Sequence, residues 1–260
     1  MIRLFQIDAF TDTQFKGNPA AVCPLDNWLD TEVMQQIAAE NNLAETAFFV
    51  QKGEYFEIRW FTPTVEVDLC GHATLASAYV LFNELGYEAD TIRFYSERSG
   101  DLGVSRQNDW LTLDFPADVV AQVNITAAFA DALGVAPTAI YEGKSDFMIV
   151  VESEQDIKNL EPDMSKVAQL GNRGVIVTAK GNEVDFVSRF FAPQSGIDED
   201  PVTGSAHTTL APYWAGVFGK SELTAKQLSQ RGGDLKCQVV QDRVLISGKA
   251  CKYMEGSISI

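Results

Sequence analysis

The chain has 260 residues, 46% of them hydrophobic, and its 20 Lys and Arg against 36 Asp and Glu give a formal net charge of −16. This composition favours compact, well-buried cores and excludes a disordered chain. Because the charge is strongly negative and basic residues form no cluster, nucleic acid and anionic membranes are excluded as partners. The first residues lack the pattern of a signal peptide and no apolar run approaches bilayer length, so we expect a soluble, cytoplasmic protein.

The first half reads as strands interrupted by two helices. Apolar alternation or β-branched and aromatic content predicts strands over residues 2–10, 44–50, 55–61, 91–96 and 110–116. Residues 30–42 predict a helix with Asp30 as the expected N-cap, and its apolar face consists of Val33, Met34, Ile37 and Ala38. Residues 72–86 predict a helix with an unusually small flank, closed by Gly86. A small flank allows a helix to lie very close to a sheet.

The second half repeats this style. Strands are predicted over 146–152, 174–179 and 184–191, and helices over 126–134, 164–171 and 205–219. We divide the chain into a first half, residues 1–115, and a second half, residues 116–260. No linker composition marks the boundary. Residues 237–248 and 251–260 predict a closing hairpin, whose last strand is able to cross back to the first half.

A motif occurs once in each half. "RWFTP" at 59–63 matches "RFFAP" at 189–193, and "CGHATLASA" at 70–78 matches "TGSAHTTLA" at 203–211. Each copy is a strand, a loop and a glycine, Gly71 or Gly204, that opens a helix. If the halves pack about a pseudo-twofold axis, the two helix N-termini face each other and form an anion site without any basic side chain. The repeat therefore predicts a carboxylate ligand.

Cysteine and histidine spacing gives no sign of a metal site. The four cysteines form no CxxC pair and no metal-type spacing with the two histidines, so neither zinc nor a disulfide framework is expected. A metal oxygenase site built on His72, His207 and Asp200 receives little support, because the histidines occupy non-equivalent places in the repeat. His207 lies one turn inside its helix and is expected to be a satisfied core residue.

Five motifs span nearly the whole chain in order. They are "GNPAAV" at 17–22, "AETAFF" at 44–49, "DLCGHAT" at 68–74, "EDPVTGSAH" at 199–207 and "QLSQRGG" at 227–233. Together they resemble the phenazine-biosynthesis PhzF family, within the diaminopimelate-epimerase-like fold. The resemblance implies an α/β (α+β) fold of two pseudo-symmetric halves, each a strongly bent, mostly antiparallel sheet wrapped around a central helix. It also implies an isomerase that needs no cofactor, acts on a small carboxylic acid in an interdomain cleft, and forms homodimers.

The resemblance also assigns site residues. The family's general acid/base falls on Glu45, which interrupts an apolar strand. Desolvation there is expected to raise the pKa of a carboxyl group toward the range useful for proton transfer. The other catalytic positions fall on His72, Asp200 and Ser205, with Ser205 also a possible N-cap. For substrate binding, the positions are Gly71, Ala73, Gly204 and Asn18.

Two alternatives remain open. Related epimerases use one thiol at each helix mouth, and here the matching residues are Cys70 and Thr203. Because threonine cannot take a carbon-bound proton at neutral pH, a two-thiol epimerase is excluded, but a Cys70-based dehydratase or epimerase of an amino or imino acid is the runner-up. The second alternative is a non-catalytic binding protein on the same scaffold.

Overall fold

The computed structural model describes residues 1–260, which contain eighteen strands and six α-helices. The strands are β1 Ile2–Ala9, β2 Asn18–Leu25, β3 Glu45–Lys52, β4 Tyr55–Phe61, β5 Glu66–Val67, β6 Thr91–Ser96, β7 Gly100–Gln107, β8 Trp110–Pro116, β9 Ala121–Val123, β10 Ala139–Glu142, β11 Asp146–Val150, β12 Gly174–Lys180, β13 Phe186–Ala192, β14 Ile197–Asp200, β15 Glu222–Gln227, β16 Gly233–Val240, β17 Arg243–Gly248 and β18 Ala250–Ile258. The helices are α1 Thr31–Asn41, α2 Gly71–Tyr79, α3 Ala127–Leu133, α4 Glu154–Lys158, α5 Met164–Val167 and α6 Gly204–Phe218. A π-helical turn, Val80–Glu84, extends α2.

The chain forms two compact units. The first unit contains Met1–Asp114 together with Ser247–Ile260, and the second contains Phe115–Ile246. In the first, the strands lie in the order β18, β1, β2, β3, β4, β6, β7, β8, with parallel pairing only at β2–β3 and β4–β6. Short β5 pairs antiparallel with the end of β4. The sheet is therefore mostly antiparallel.

The second unit repeats the same pattern of pairings. Its strands lie in the order β9, β10, β11, β12, β13, β15, β16, with parallel pairing only at β11–β12 and β13–β15. Short β14 pairs antiparallel with the end of β13, as β5 does with β4. The two units differ in the origin of the outermost strand. In the second unit it is β9, which directly precedes its partner β10 along the chain. In the first unit it is β18, which comes from the C-terminal end of the chain and pairs with β1.

Each sheet bends around one central helix. Helix α2 contacts β18, β1, β2 and β3 on one side of the first sheet and β7 near its other end, so the sheet curves around it. Helix α6 is contacted by β11, β15 and β16 in the same way. Every residue of α2 from His72 to Ala78 is buried, and the alanines at 73, 76 and 78 are fully inaccessible to solvent. These small side chains allow the close approach that the sequence predicts.

The remaining helices cover the outer faces of the sheets. In the first unit, Met34 and Ile37 of α1 pack with Phe48 and Phe61. In the second, α3, α4 and α5 bury Leu133 and other apolar residues against β11, β12 and β13. No helix combines the length and apolar composition needed to cross a membrane.

The arginine of the repeated motif is a structural residue in both units. The Nε and Nη2 atoms of Arg59 donate to the two carboxylate oxygens of Glu66 at 2.7 and 2.8 Å, and Arg189 binds Glu199 in the same way at 2.7 and 2.9 Å. Each guanidinium also lies over the phenylalanine two residues further on, 5.2 and 4.9 Å from the ring centroid. These bidentate pairs fix β5 and β14, the strands that lead into the two central helices.

Candidate active site

The first unit brings four of the motif residues to the beginning of α2. Strands β2 and β3 are parallel, with Ala20 opposite Glu45, so their first residues, Asn18 and Glu45, lie at the same edge of the sheet. Cys70 is the N-cap residue of α2, and His72 is the second residue of the helix. The sequence therefore folds so that two strand starts and one helix start converge.

His72 is the central residue of this group. Its Nε2 atom lies 3.3 Å from Oε2 of Glu45, at ion-pair distance but without the alignment of a hydrogen bond. Its Nδ1 atom lies 3.2 Å from Nδ2 of Asn18 and 3.4 Å from Sγ of Cys70. The imidazole therefore lies between the carboxylate on one edge and the amide and thiol on the other.

Burial determines the charge of His72. Desolvation lowers the pKa of His72 to about 3, so the ring is neutral at pH 7. When the Asn18 amide donates to Nδ1, the single proton of a neutral imidazole resides on Nε2, facing Glu45. The Glu45 side chain is only 13% exposed, although Glu45 is the first residue of β3 and does not interrupt that strand as the sequence suggested. A neutral imidazole in this position can donate to the Glu45 carboxylate and so stabilise its charged form.

The same residues include a set of metal-ligand types. One atom each of Glu45, Cys70 and His72 lie within 4.8 Å of one another, and carboxylate, thiolate and imidazole are all zinc ligands. However, the thiol is next to Nδ1 and the carboxylate next to Nε2, on opposite edges of one ring. A single ion bound to either nitrogen would lie away from one of the other two ligands. The geometry fits hydrogen-bond and proton exchange better than a metal centre.

The second unit brings a different set of groups to the beginning of α6. Thr203 is the N-cap residue, followed by Gly204 and Ser205, so Ser205 is the second helical residue and the expectation that it caps the helix is wrong. The Thr203 hydroxyl donates to Oδ2 of Asp200 at 2.5 Å. The buried Gln227 side chain accepts from the backbone N–H of Thr203 and donates to the backbone carbonyl of Asp200. Gln227, the first residue of the "QLSQRGG" motif, thus fixes the loop that presents Asp200.

Arg173 is a residue of this second group that the sequence did not indicate. Its Nη2 donates to Oγ of Ser205 at 3.1 Å, and its Nε and Nη2 bind the two carboxylate oxygens of Asp146. The expectation of a helix mouth without any basic side chain is therefore wrong for α6. No local pattern could have revealed Arg173, because its partners are 27 and 32 residues away along the chain.

His207 lies away from the helix mouth, as expected. Its Nδ1 atom is 2.8 Å from the carbonyl oxygen of Thr203, and burial lowers its pKa to about 4 although this hydrogen bond acts in the opposite direction. In the first unit the corresponding contact is made by Thr74, whose hydroxyl donates to the carbonyl of Cys70 at 2.6 Å. His207 is therefore the structural counterpart of Thr74.

The remaining predicted substrate-binding residues have small or no side chains. Ala73 is fully buried, so only its backbone can face a ligand. Gly71 and Gly204 are the first residues of α2 and α6 and have backbone N–H groups without partners inside the helix. Asn18 is fully buried, with its amide on His72. Its contact in the structure is thus with a proposed catalytic side chain.

Comparison with known proteins identifies the family. The sequence matches the family described as "Phenazine biosynthesis-like protein" over residues 7–256. The chain belongs to this family. An uncharacterised isomerase of Pseudomonas aeruginosa is 51% identical over 259 residues, which cover 100% of this chain and 99% of that protein.

Solved structures agree at two levels. A PhzF-family protein from Enterococcus faecalis is 45% identical, with a TM-score of 0.98 and coverage of 100% of this chain and 99% of that one. A probable proline racemase from Agrobacterium radiobacter is only 9% identical, with a TM-score of 0.65 and coverage of 100% and 93%. The second likeness shows the fold alone, and it supports the expectation of a bent sheet around a central helix in each half.

Proposed function

We propose that this protein is an isomerase that moves a proton between two carbons of a small carboxylic acid, with Glu45 as the acid/base. The observation that carries the proposal is the pairing of a shielded carboxylate with a neutral imidazole, 3.3 Å apart at a helix mouth. The names of the 51% and 49% identical Pseudomonas proteins, both uncharacterised isomerases, support the same class of reaction.

The proposed steps balance without an added oxidant, reductant or cofactor. The Glu45 carboxylate removes a proton from a carbon adjacent to a conjugated system, and the electron pair of the C–H bond enters that system. The protonated Glu45 then delivers the same proton to a second carbon, where the electron pair forms the new C–H bond. The low exposure of Glu45 limits exchange of this proton with water, and His72 stabilises the carboxylate when it is charged.

The groups at the mouth of α6 are proposed to bind and orient the substrate. The carboxylate of Asp200 already accepts from the Thr203 hydroxyl, so it is held in a fixed direction. Ser205 offers a hydroxyl, and Gly204 offers a backbone N–H. None of these groups forms a pair like that of Glu45 and His72, in which a carboxylate lies beside an imidazole. Asp200 and Ser205 are therefore assigned to orienting the substrate and sharing its charge.

A Cys70-based elimination is the second candidate, and one contact favours it. The Cys70 thiol lies at the same helix mouth as Glu45, with Sγ 3.4 Å from Nδ1 of His72, close enough to donate a hydrogen bond to that nitrogen. The opposing thiol of a two-base epimerase is absent, because Thr203 stands in that place with its hydroxyl directed to Asp200. Cys70 would therefore have to act as the only thiolate base.

Deuterium exchange tests the proposal before the substrate is known. A defined mixture of carboxylic acids is incubated with the protein in deuterium oxide, and mass spectrometry identifies acids that gain one deuterium or change retention at constant mass. The proposal expects an isomerised product with less than one deuterium incorporated per turnover. In a fraction of the turnovers, Glu45 returns the original proton before it exchanges with the solvent. If acids bind but none exchanges or rearranges, the binding-protein alternative replaces it.

Two variants then separate the candidate bases. Glu45→Gln keeps the shape of the side chain but cannot take a proton, so turnover of the identified acid should fall at least about a thousandfold. Cys70→Ala should stay within about tenfold of the wild-type rate, because in this proposal Glu45 and not the thiol carries the proton. Near-normal turnover by Glu45→Gln with loss of activity in Cys70→Ala would transfer the role of the base to Cys70.

A further inference from the structure

The internal duplication gives each residue of the first helix mouth a counterpart in the second. In the first unit, Phe61 pairs with Thr46, the residue after Glu45. In the second unit, Phe191 pairs with Val175, the residue after Gly174. Because Phe61 and Phe191 are equivalent residues of the repeated motif, Glu45 and Gly174 occupy equivalent positions. The second unit therefore has no side chain where the first unit has its proposed acid/base.

The residue next to Gly174 fills that place with the opposite charge. His72 and Ser205 are equivalent, since each is the second residue of its central helix. In the first unit Glu45 approaches His72 at 3.3 Å, and in the second unit Arg173 approaches Ser205 at 3.1 Å. The equivalent places at the two helix mouths thus hold a carboxylate and an imidazole in the first unit. In the second unit they hold a guanidinium and a hydroxyl.

The guanidinium of Arg173 is held in one orientation. Asp146, whose side chain is only 6% exposed, binds it through both oxygens, and the ring of Phe190 lies 5.5 Å below its central carbon. Three of its five N–H groups are used by Asp146 and Ser205, while the two on Nη1 have no partner in the chain. The side chain is 45% exposed, so a ligand can reach it.

Ser205 complements these open donors. Its Oγ accepts from Arg173 and makes no other side-chain hydrogen bond within the chain, so the O–H remains available to donate. Nη1 of Arg173 and the hydroxyl of Ser205 are therefore two donors attached to one rigid support. Two adjacent donors of this kind match the two oxygens of a carboxylate.

We propose that Arg173 is a specificity-determining residue, which binds the substrate carboxylate through Nη1 together with the Ser205 hydroxyl. This inference rests on the proposed function for its substrate class, but it assigns a residue and a contact that the family motifs do not include. Asp146 acts as a positioning residue for the guanidinium. The negative charge of Asp146 offsets the positive charge of Arg173. Selection of a carboxylate therefore depends on the direction of the free N–H groups and not on an excess of positive charge.

Acetate is the probe for this contact, because it presents the carboxylate alone. The Nε–H signals of arginine in ¹⁵N-labelled protein are followed by NMR during titration with sodium acetate at constant ionic strength, and with acetamide, a neutral molecule of similar shape. We expect the Arg173 signal, assigned by its loss in a variant, to shift with acetate in a saturable manner and not with acetamide. The signal of Arg93, an exposed arginine paired with Asp101, serves as the control.

Variants distinguish binding from a purely structural ion pair. Arg173→Lys keeps a cation beside the buried Asp146 but loses the planar set of donors, so acetate affinity should fall about tenfold or more while Arg93→Gln leaves it unchanged. If Arg173→Lys fails to fold, the double variant Asp146→Asn with Arg173→Gln removes both charges together and should show the same loss. With the identified acid, Arg173→Lys should raise KM much more than it lowers kcat.

The outcomes separate this inference from the proposed function. Equal acetate shifts at Arg173 and Arg93, or unchanged acetate affinity in Arg173→Lys, would overturn the assignment of Arg173 even if Glu45→Gln abolishes turnover. Conversely, saturable acetate binding that requires Arg173 would support the carboxylate contact even if Glu45 proved not to be the base. Glu45→Gln itself should bind acetate as the wild type does.

Discussion

At the scale of single residues, burial decides what the two histidines do. Both side chains are buried, His207 completely and His72 with 5% of its surface exposed, and desolvation lowers the pKa to about 3 for His72 and about 4 for His207. A neutral imidazole next to a carboxylate can share a proton without forming a permanent ion pair. His207 makes only a backbone contact through Nδ1, and its buried Nε2 has no hydrogen-bond partner in the chain. Protonation of His207 would place a charge in the core.

The low pKa of His207 predicts a loss of stability in mild acid. Between about pH 6.5 and pH 4 the unfolded chain binds a proton at this histidine and the folded chain does not, so the free energy of unfolding decreases as pH falls through this window. His207→Gln keeps a side-chain donor for Thr203 but does not titrate. Lowering the pH from 7.5 to 4.5 should therefore cost the wild type about 2.5 kcal/mol more than the variant.

Urea unfolding of both proteins at pH 7.5, 5.5 and 4.5 measures this difference. At pH 7.5 both side chains are neutral, so any difference there reports packing alone and serves as the reference. Parallel loss of stability in the two proteins across the series would contradict the neutral state assigned to His207.

At the scale of elements, the sequence predicted the strands with clear alternation and both central helices, but not everything that positions the site. Strand β2 was missed because Pro19 and Pro24 interrupt it, although partners on both sides hold it in the sheet. Strand β7 was missed because glycines and polar residues weaken its pattern. Helix α5 ends at Val167, four residues before the predicted end. For the two strands, pairing with neighbours on both sides overrides local propensity.

The same distinction applies to the site. Residues carried by local motifs, such as Glu45 and His72, could be selected from the sequence, because each lies at the start of a recognisable strand or helix. Arg173 could not be selected, since its contacts with Asp146 and Ser205 arise only when two strands and a helix assemble. Its sequence neighbourhood reads as an ordinary loop.

The tight enclosure of α2 predicts a strong response to added volume. Ala76 is fully buried on a helix whose faces contact several strands, so Ala76→Leu forces side chains or backbone to shift. We expect the free energy of unfolding to fall by roughly 1–3 kcal/mol, the usual cost of overpacking a core. Ala39→Leu on the exposed side of α1 makes the same chemical change in a helix and should alter stability by less than about 0.5 kcal/mol.

Chemical denaturation of the two variants beside the wild type provides the comparison. Because leucine and alanine both favour helices, helix propensity does not explain a difference between the sites. If Ala76→Leu were as stable as Ala39→Leu, the helix could not be packed as closely as the buried alanines indicate.

At the scale of the whole molecule, the large negative net charge affects stability in a way that no individual contact describes. The net charge of −16 arises from 36 acidic and 20 basic residues. Several acidic side chains are paired on the surface, as in the contacts of Arg3 with Glu255 and of Arg93 with Asp101. Exposed pairs of this kind contribute at most about 1 kcal/mol each, and salt weakens them. The surplus of negative charge destabilises the folded state by repulsion, which salt also weakens.

These two effects of salt oppose each other, and the surplus charge should determine the sign. Raising NaCl from 10 mM to 500 mM shortens the Debye length from about 30 Å to well below 10 Å, which screens repulsion across the whole surface. A close ion pair is screened less than charges many ångströms apart, so the repulsion decreases more than the attraction does. We therefore expect the Tm to rise with NaCl at pH 7.5, where a rise of about 2–4 °C corresponds to about 1 kcal/mol for a protein of this size. Equal concentrations of KCl should give the same rise, because ionic strength and not a bound sodium ion is responsible. A Tm that falls steadily with either salt would show that the surface pairs outweigh the repulsion.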